Sequence, residues 1–260
     1  MLILVTNDDG IESPTLMPLK MALDRVAETV LFAPDHNWST SGHSKTMHKP
    51  LRADLLTLAD GSQGYVSSAP PSDCVALALL GVVDRRPDLI VSGINMGANL
   101  GYDVYYSGTV AAAVEGVISG LPGVAFSREI PADEDNIAAQ AAFAARLTKM
   151  ILDKGLPADT LLNVNFPPDP WHEVRGVYIT RLGRRVYRDE LVRREDPRGR
   201  VYYWIGGEAP LGKPDHGTDI WALQNKLISI TPLHLDITTH RFREELRRWH
   251  VEELLDTNGV

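Results

Sequence analysis

Leu2-Ile3-Leu4-Val5-Thr6 is an unbroken apolar, partly β-branched run that stops at Asn7-Asp8-Asp9-Gly10. A strand without polar alternation has both faces covered, which points to a parallel sheet sandwiched between helices. The following residues agree. Ser13-Pro14 reads as an N-cap with proline at the first helical position, Leu16, Leu19, Leu23 and Val26 recur at helical spacing, and Thr29 to Ala33 makes a second strand closed by Pro34. This is a β-α-β unit whose crossover helix falls within residues 14–28. Open sheets of this class bind ligands outside the carboxyl ends of their strands at a topological switch point, and Asp8 and Asp9 occupy such an end.

The alternation of strand and helix continues. Pro71-Ser72-Asp73 opens a helix through Leu80, Asp88 to Ser92 is an apolar strand ending at Gly93-Ile94-Asn95, and a Gly-, Asn- and Tyr-rich stretch feeds a helix from Thr109 to Ile118. Gly123 to Ser127 and Thr160 to Phe166 read as strands on either side of a helix from Asn136 to Lys154. The fold class expected is α/β, with a Rossmann-like three-layer core and a mostly parallel sheet over residues 1–170. From Val177 to Trp204 the pattern becomes alternating, with Val177-Tyr178-Ile179 and Val201-Tyr202-Tyr203-Trp204 flanking an arginine-rich connection. That predicts an antiparallel excursion, so residues 171–260 read as a smaller β-rich extension for oligomerisation, with 215–235 returning to the core. The tail from Arg241 to Leu255 is charged and helix-prone.

Several classes drop out on composition. With 44% hydrophobic residues the chain can bury a core, and 26 Lys and Arg against 34 Asp and Glu leave a net charge of −8. The single Cys74 can form no internal disulfide and no cysteine-based zinc site, so any metal must be held by oxygen or nitrogen. The longest apolar run, Cys74 to Val83, is half of the ~20 residues that span a bilayer, so no membrane partner is expected. No basic stretch precedes the first apolar run, which predicts a cytoplasmic protein without a secretory leader. Eight arginines lie between Arg181 and Arg200 against four acids, a run that would suit RNA or polyphosphate; a solvated hairpin or subunit contact is the plainer reading in an acidic protein.

Two strand ends carry chemistry. Adjacent carboxylates repel unless a cation or proton relieves them, and the hard oxygens of Asp8 and Asp9 suit Mg²⁺ or Mn²⁺. Haloacid dehalogenase-type phosphatases also end their first strand on an acidic motif, but Asn7 stands where their nucleophilic aspartate would be. The second strand end offers Asn95, and the helix beyond it opens with Ser107, Gly108 and Thr109, whose free N–H groups and hydroxyls make a phosphate cradle. No Walker lysine follows, and the glycine spacing is not the dinucleotide fingerprint. The polar segment Asp35 to Lys49 is long for an irregular connection, which favours a functional loop; its His36, His43 and His48 form no HxH or HxxxH array.

Taken together, Asn7-Asp8-Asp9-Gly10, Ala33-Pro34-Asp35 with Ser39, Pro71-Ser72-Asp73, Ser92-Gly93-Ile94-Asn95 with Gly97, Asn99 and Gly101, Tyr106-Ser107-Gly108-Thr109-Val110, Asp196 to Trp204, and Ser229-Ile230-Thr231-Pro232-Leu233 resemble the SurE (survival protein E) family of nucleotidases. The resemblance runs from residue 2 to about 235 and departs at Pro70, where the family usually has threonine, and at Lys45, often aliphatic. It implies hydrolysis of nucleoside 5′- or 3′-monophosphates, one divalent ion per subunit (Mg²⁺ or Mn²⁺) on Asp8, Asp9, Ser39 and Asn95, and phosphate near Asn95, Ser107, Gly108 and Thr109. Ser39 enters through the resemblance alone. Asp8, Asp9, Asn95 and Ser107 are then the expected catalytic residues, in a homodimer or homotetramer with exchanged C-terminal segments. The competing class is a non-catalytic nucleotide-binding module built on the same loop, which turnover of a phosphate ester would distinguish.

Overall fold

The structure, a computed structural model, describes residues 1–130 and 136–255. Strand β1 (Leu2–Thr6) is buried along its whole length. Its side chains alternate between two cores: Ile3 and Val5 meet Leu16, Leu19 and Leu23 of helix α1 (Leu16–Leu23) together with Ala141, Ala144 and Ile151 of helix α4 (Asn136–Lys154). Leu2 and Leu4 face the other way, onto Cys74 and Val75 of helix α2 (Pro71–Leu77) and Ala112 of helix α3 (Gly108–Ile118). A period-two strand that is apolar at every position is therefore apolar because a helix layer covers each face. Each fully buried leucine contributes roughly 2 kcal/mol.

Among the described residues nine strands form one sheet. The remaining members are β2 (Glu28–Pro34), β3 (Ala53–Thr57), β4 (Gln63–Ser67), β5 (Leu89–Met96), β6 (Gly123–Arg128), β7 (Thr160–Phe166), β8 (Gly176–Ile179) and β11 (Leu227–His234), in the order β3-β4-β2-β1-β5-β6-β7-β11-β8. Strand β1 pairs in parallel with β2 on one side and β5 on the other, with Thr6 opposite Ser92. The chain leaves β1 in one direction along the sheet and later resumes in the opposite direction at β5, which makes the β1/β5 border the switch point. Among the described residues the antiparallel pairings of this sheet are β3 with β4 and β11 with β7.

The fold is thus the expected α/β class: a mostly parallel sheet between helical layers, with a separate antiparallel ribbon formed by β9 (Arg184–Glu195) and β10 (Val201–Lys213). The strand pairing expected around the arginine run is corrected. Val177-Tyr178-Ile179 does not face Val201 to Trp204; it joins the main sheet parallel to β11, while Val201 to Trp204 pair with Val192 to Glu195. Alternation reports a half-exposed strand but not which strand it pairs with. The Ser13-Pro14 cap is also corrected: α1 starts at Leu16, and Ser13 instead bonds Thr15 Oγ1 at 3.0 Å within a turn, while Thr15 Oγ1 donates to Ile94 O at 2.5 Å. No described helix is long and apolar enough to cross a membrane.

Candidate active site

Asn7 is fully buried and braces the turn that ends β1: its Nδ2 donates to Gly10 O at 2.9 Å and its Oδ1 accepts the Gly10 N–H at 3.2 Å. The turn sends the next two side chains to different places. Asp8 points into the protein, 3% exposed, where Oδ1 accepts the Thr109 hydroxyl. Asp9 is half-buried; Oδ2 accepts the Met96 N–H at 3.0 Å and Oδ1 accepts Asn37 Nδ2 at 3.4 Å. Burial pushes the Asp8 carboxyl up to about 6, the Thr109 hydroxyl opposes that rise, and the neighbouring Asp9 charge adds to it. Asp9 is raised as well, by burial. Among the described residues neither carboxylate has an ion-pair partner, so no side-chain cation of the protein offsets these two desolvated acids.

The helix across from them is built to approach closely. A Cβ on Gly108 would lie 2.8 Å from Asp8 Cβ, 2.9 Å from Asp8 Oδ2 and 3.1 Å from Ser41 Oγ, so only hydrogen fits where α3 meets the strand end. Ser107 is the N-cap, its Oγ accepting the Val110 N–H at 3.1 Å, and Thr109 spends its hydroxyl on Asp8. The cradle anticipated from sequence therefore offers chiefly the first backbone N–H groups of α3 and the Ser107 hydroxyl proton; the Thr109 side chain is a brace for a carboxylate. Asn95, half-buried at the end of β5, donates Nδ2 to Gly97 O at 2.6 Å, which leaves its amide oxygen as the atom able to face a cation.

The Asp35 to Lys49 segment is irregular yet tied down along its length. Trp38 N–H donates to Asp8 O at 2.7 Å, which brings Ser39 to the end of β1, and Ser39 N–H donates to Asn37 Oδ1 at 2.6 Å. Further along, Gly42 N–H donates to Tyr106 O at 2.9 Å, Ser72 Oγ to Ser44 O at 2.5 Å, and Thr46 N–H to Asp73 Oδ2 at 2.8 Å. The Pro71-Ser72-Asp73 motif is thus a tether for this loop. Glu115, on α3 and 5% exposed, holds His43 Nε2 at 2.8 Å and Lys45 Nζ at 3.1 Å; His43 and then Lys45 keep its carboxyl below the usual range. This accounts for the unusual Lys45: it compensates a buried acid.

The structure therefore gathers Asp8, Asp9, Asn95, Ser107, Gly108 and Thr109 at the switch point, with Ser39 in the loop whose Trp38 N–H bonds Asp8 O. Among the described residues no group of three or more His, Cys, Asp or Glu is placed to hold a metal, so a cation here has to draw on amide and hydroxyl oxygens. The donor set fits a hard divalent ion: two anionic carboxylates, an amide oxygen and a hydroxyl. The buried Ser41 Oγ, without a hydrogen-bond partner among the described residues and facing the Gly108 position, is a polar atom that suits a further polar group there. A separate cavity, about 650 Å³, runs along the flank of α3 between Val110 and Val114 on one side and Leu161 and Leu233 on the other; it is touched by His43 and Tyr105 but by neither carboxylate.

Sequence reasoning missed a second layer. Asn99, in the loop after β5, donates its N–H to Asn165 Oδ1 at 2.8 Å and its Nδ2 to Ser127 Oγ at 2.8 Å, while Asn163 Nδ2 returns a bond to Asn99 O at 2.9 Å. The available signal was Asn163 and Asn165, two amides in an otherwise apolar strand whose polar groups must be satisfied.

With this geometry in place, the comparisons converge. Residues 3–189 match the family model described as "Survival protein SurE". A protein of Chloroflexus aggregans, named 5′-nucleotidase SurE, is 53% identical over 97% of this chain and 100% of its own length. Another of the same name, from Moorella thermoacetica, is 49% identical over 95% of each chain. The crystal structure of the SurE protein from Aquifex aeolicus superposes with a TM-score of 0.79 at 36% identity, covering 96% of this chain and 100% of that one. A family model spanning most of the sequence, relatives matched end to end and a shared three-dimensional frame agree with the motifs that end β1 and β5, and the chain belongs to the SurE family.

Proposed function

We propose that this chain is a metal-dependent phosphomonoesterase that hydrolyses nucleoside 5′- or 3′-monophosphates to nucleoside and phosphate. The carrying observation is the pair Asp8 and Asp9, desolvated and without an ion-pair partner among the described residues, with Asp8 directly against the N-terminus of α3. The name 5′-nucleotidase borne by the relatives supports the nucleotide as substrate.

Asp8, Asp9, Asn95 and Ser39 are the residues that would hold one divalent cation, Mg²⁺ or Mn²⁺. When bound, such an ion supplies Lewis-acid polarisation of a phosphoryl oxygen and acidifies an attacking water. The protein's own part is positional. Thr109 fixes the Asp8 carboxylate by its hydroxyl bond, and Met96 N–H fixes Asp9, so the two acids hold their places without side-chain reorganisation. The N-terminal N–H groups of α3, with the Ser107 hydroxyl and the Asn95 amide, stabilise negative charge gathering on the phosphoryl oxygens. Asp9, the more exposed acid, is the residue assigned in this reading to take a proton from water.

The hairpin also bears on assembly. Tyr203 is 57% exposed, Trp204 62% and Ile205 79%, and a two-stranded ribbon has no core of its own to cover them. A homodimer or dimer of dimers would bury them. The functional reading is tested by a panel of ribo- and deoxynucleoside 5′- and 3′-monophosphates with Mn²⁺, with Mg²⁺ and with chelator. Phosphate release that requires the cation supports it; nucleotide binding without release would make the protein a binding module instead.

A further inference from the structure

Asp219 begins helix α5 (Asp219–Gln224) and is 0% exposed. Its Oδ2 accepts the Gly101 N–H at 2.7 Å, and its Oδ1 accepts the N–H groups of Gly183 at 2.7 Å and Ile220 at 2.8 Å. Three segments meet on this one carboxylate: the loop beyond β5, the entry to the β9–β10 ribbon, and α5. They meet without slack, since a Cβ on Gly183 would lie 2.9 Å from Asp219 Oδ1 and 2.7 Å from Ile220 Cδ1. Two residues further along the first two of these segments, Arg185 Nη2 bonds Asp103 Oδ2 at 2.8 Å, with the side chains 15% and 21% exposed.

Gly101 and Asp103 belong to a short 3-10 turn, Gly101–Tyr105, that leads straight into the cradle. Asp103 O accepts the N–H groups of Tyr106 at 2.9 Å and Ser107 at 3.1 Å, and Tyr106 O accepts the Gly42 N–H at 2.9 Å. Ser107 then caps α3 beside Asp8. Asp8, Asp9 and Asn95 are held by different partners: Thr109, Met96 and Gly97.

We propose that Asp219, assisted by Arg185, is a positioning residue for the phosphate cradle: it locks the base of the ribbon and the 3-10 turn into one unit, which sets where Ser107 and Gly108 face the phosphoryl group. The inference rests on reading that site as phosphate-binding. Neither side chain reaches the reacting atoms. A carboxylate is required because three N–H groups converge on it; an asparagine keeps one oxygen for Gly183 and Ile220 and turns an NH₂ against the Gly101 N–H, donor against donor. Asp219→Asn therefore severs the link to the cradle in particular.

The test uses the full chain and measures three quantities: the Kd of inorganic phosphate in saturating Mn²⁺, the Kd of Mn²⁺ itself, and kcat/KM on a nucleoside monophosphate. Asp219→Asn is expected to weaken phosphate about tenfold and Arg185→Met, which keeps the apolar stem, about threefold, with kcat/KM falling in step and the Mn²⁺ Kd within about twofold of wild type. A merely structural role would lower melting temperature without separating the two affinities. Should Asp219→Asn not fold, Arg185→Met decides. Folded variants that bind phosphate as wild type does, or that lose phosphate and Mn²⁺ equally, overturn the proposal. Wild-type protein that binds phosphate but cleaves no nucleotide would overturn the functional reading, while the phosphate comparison would still judge Asp219.

Discussion

Asp8→Asn should make the metal-free protein more stable and the enzyme inactive. Burial pushes the Asp8 carboxyl from 3.8 to about 6. At about 1.4 kcal/mol per pH unit, keeping it ionised above pH 6 costs the fold on the order of 3 kcal/mol. Asparagine has nearly the same volume, retains an oxygen for the Thr109 hydroxyl, and removes the charge. At 2–4 °C per kcal/mol for a chain of this size, melting in chelator at pH 8 should rise by roughly 6–12 °C. The pH dependence carries a definite sign. Because the folded-state pKa lies above the unfolded one, the folded wild type holds the proton between 3.8 and about 6, loses stability as pH rises through that window, and has lost all of it above. The gap between variant and wild type should therefore shrink to under about 1 kcal/mol at pH 4. Mn²⁺ reverses the order once it is about a thousand times above its Kd, where it stabilises wild type by about 4.1 kcal/mol and the variant hardly at all. Calorimetric melting with and without Mn²⁺, beside hydrolysis rates, reads all of this. A variant that melts at or below wild type in chelator at pH 8, or that keeps both Mn²⁺ stabilisation and turnover, would refute the reasoning.

Ser107→Ala removes the α3 cap and one cradle hydroxyl, so it should cost about 1 kcal/mol of stability and weaken phosphate inhibition and turnover together; a change confined to purine-versus-pyrimidine preference would show the loop reading the base instead. Gly108→Ala should abolish turnover and destabilise by about 1–3 kcal/mol, because its methyl would sit 2.8 Å from Asp8 Cβ; near-normal kinetics would mean that α3 does not abut the carboxylate as described. Light scattering should give a multiple of 28.7 kDa, with the exposed Tyr203, Trp204 and Ile205 buried between subunits, and a dilution-resistant monomer contradicts that assembly.

What was legible in the sequence was what local periodicity encodes. The helix from Asn136 to Lys154 and the strand from Thr160 to Phe166 have the bounds their patterns predicted, and the apolar run at Leu2 announced a strand covered on both faces. The strand ends at Asp8 and Asn95 could be picked out because the α/β architecture says where polar residues gather. Partnerships between distant segments were not legible. Glu115 looks like an ordinary residue of a helix until His43 and Lys45, about 70 positions away, are seen to converge on it. Asp219 carries no signature beyond following Thr218, and its partners Gly101 and Gly183 contribute backbone N–H groups that no side-chain motif records. Ser13-Pro14 satisfied the local rule for a helix start, yet Thr15 is drawn to Ile94 O and the helix begins later. Ser39 had no chemical signal of its own; only the family resemblance singled it out, and in the structure the Trp38 bond to Asp8 O shows how it reaches the strand end.

The central claim is that Asp8 and Asp9 hold a divalent cation at the switch point beside a phosphate cradle. Anomalous diffraction from crystals soaked in Mn²⁺ and phosphate tests this most directly. The account predicts one strong Mn²⁺ peak per chain within bonding distance of Asp8, Asp9 and Asn95, reached also by Ser39, with phosphate density lying between that peak and the N-terminus of α3 at Ser107 and Gly108. A map without a peak at these carboxylates at saturating Mn²⁺, or with the ion bound elsewhere and phosphate away from α3, would contradict it.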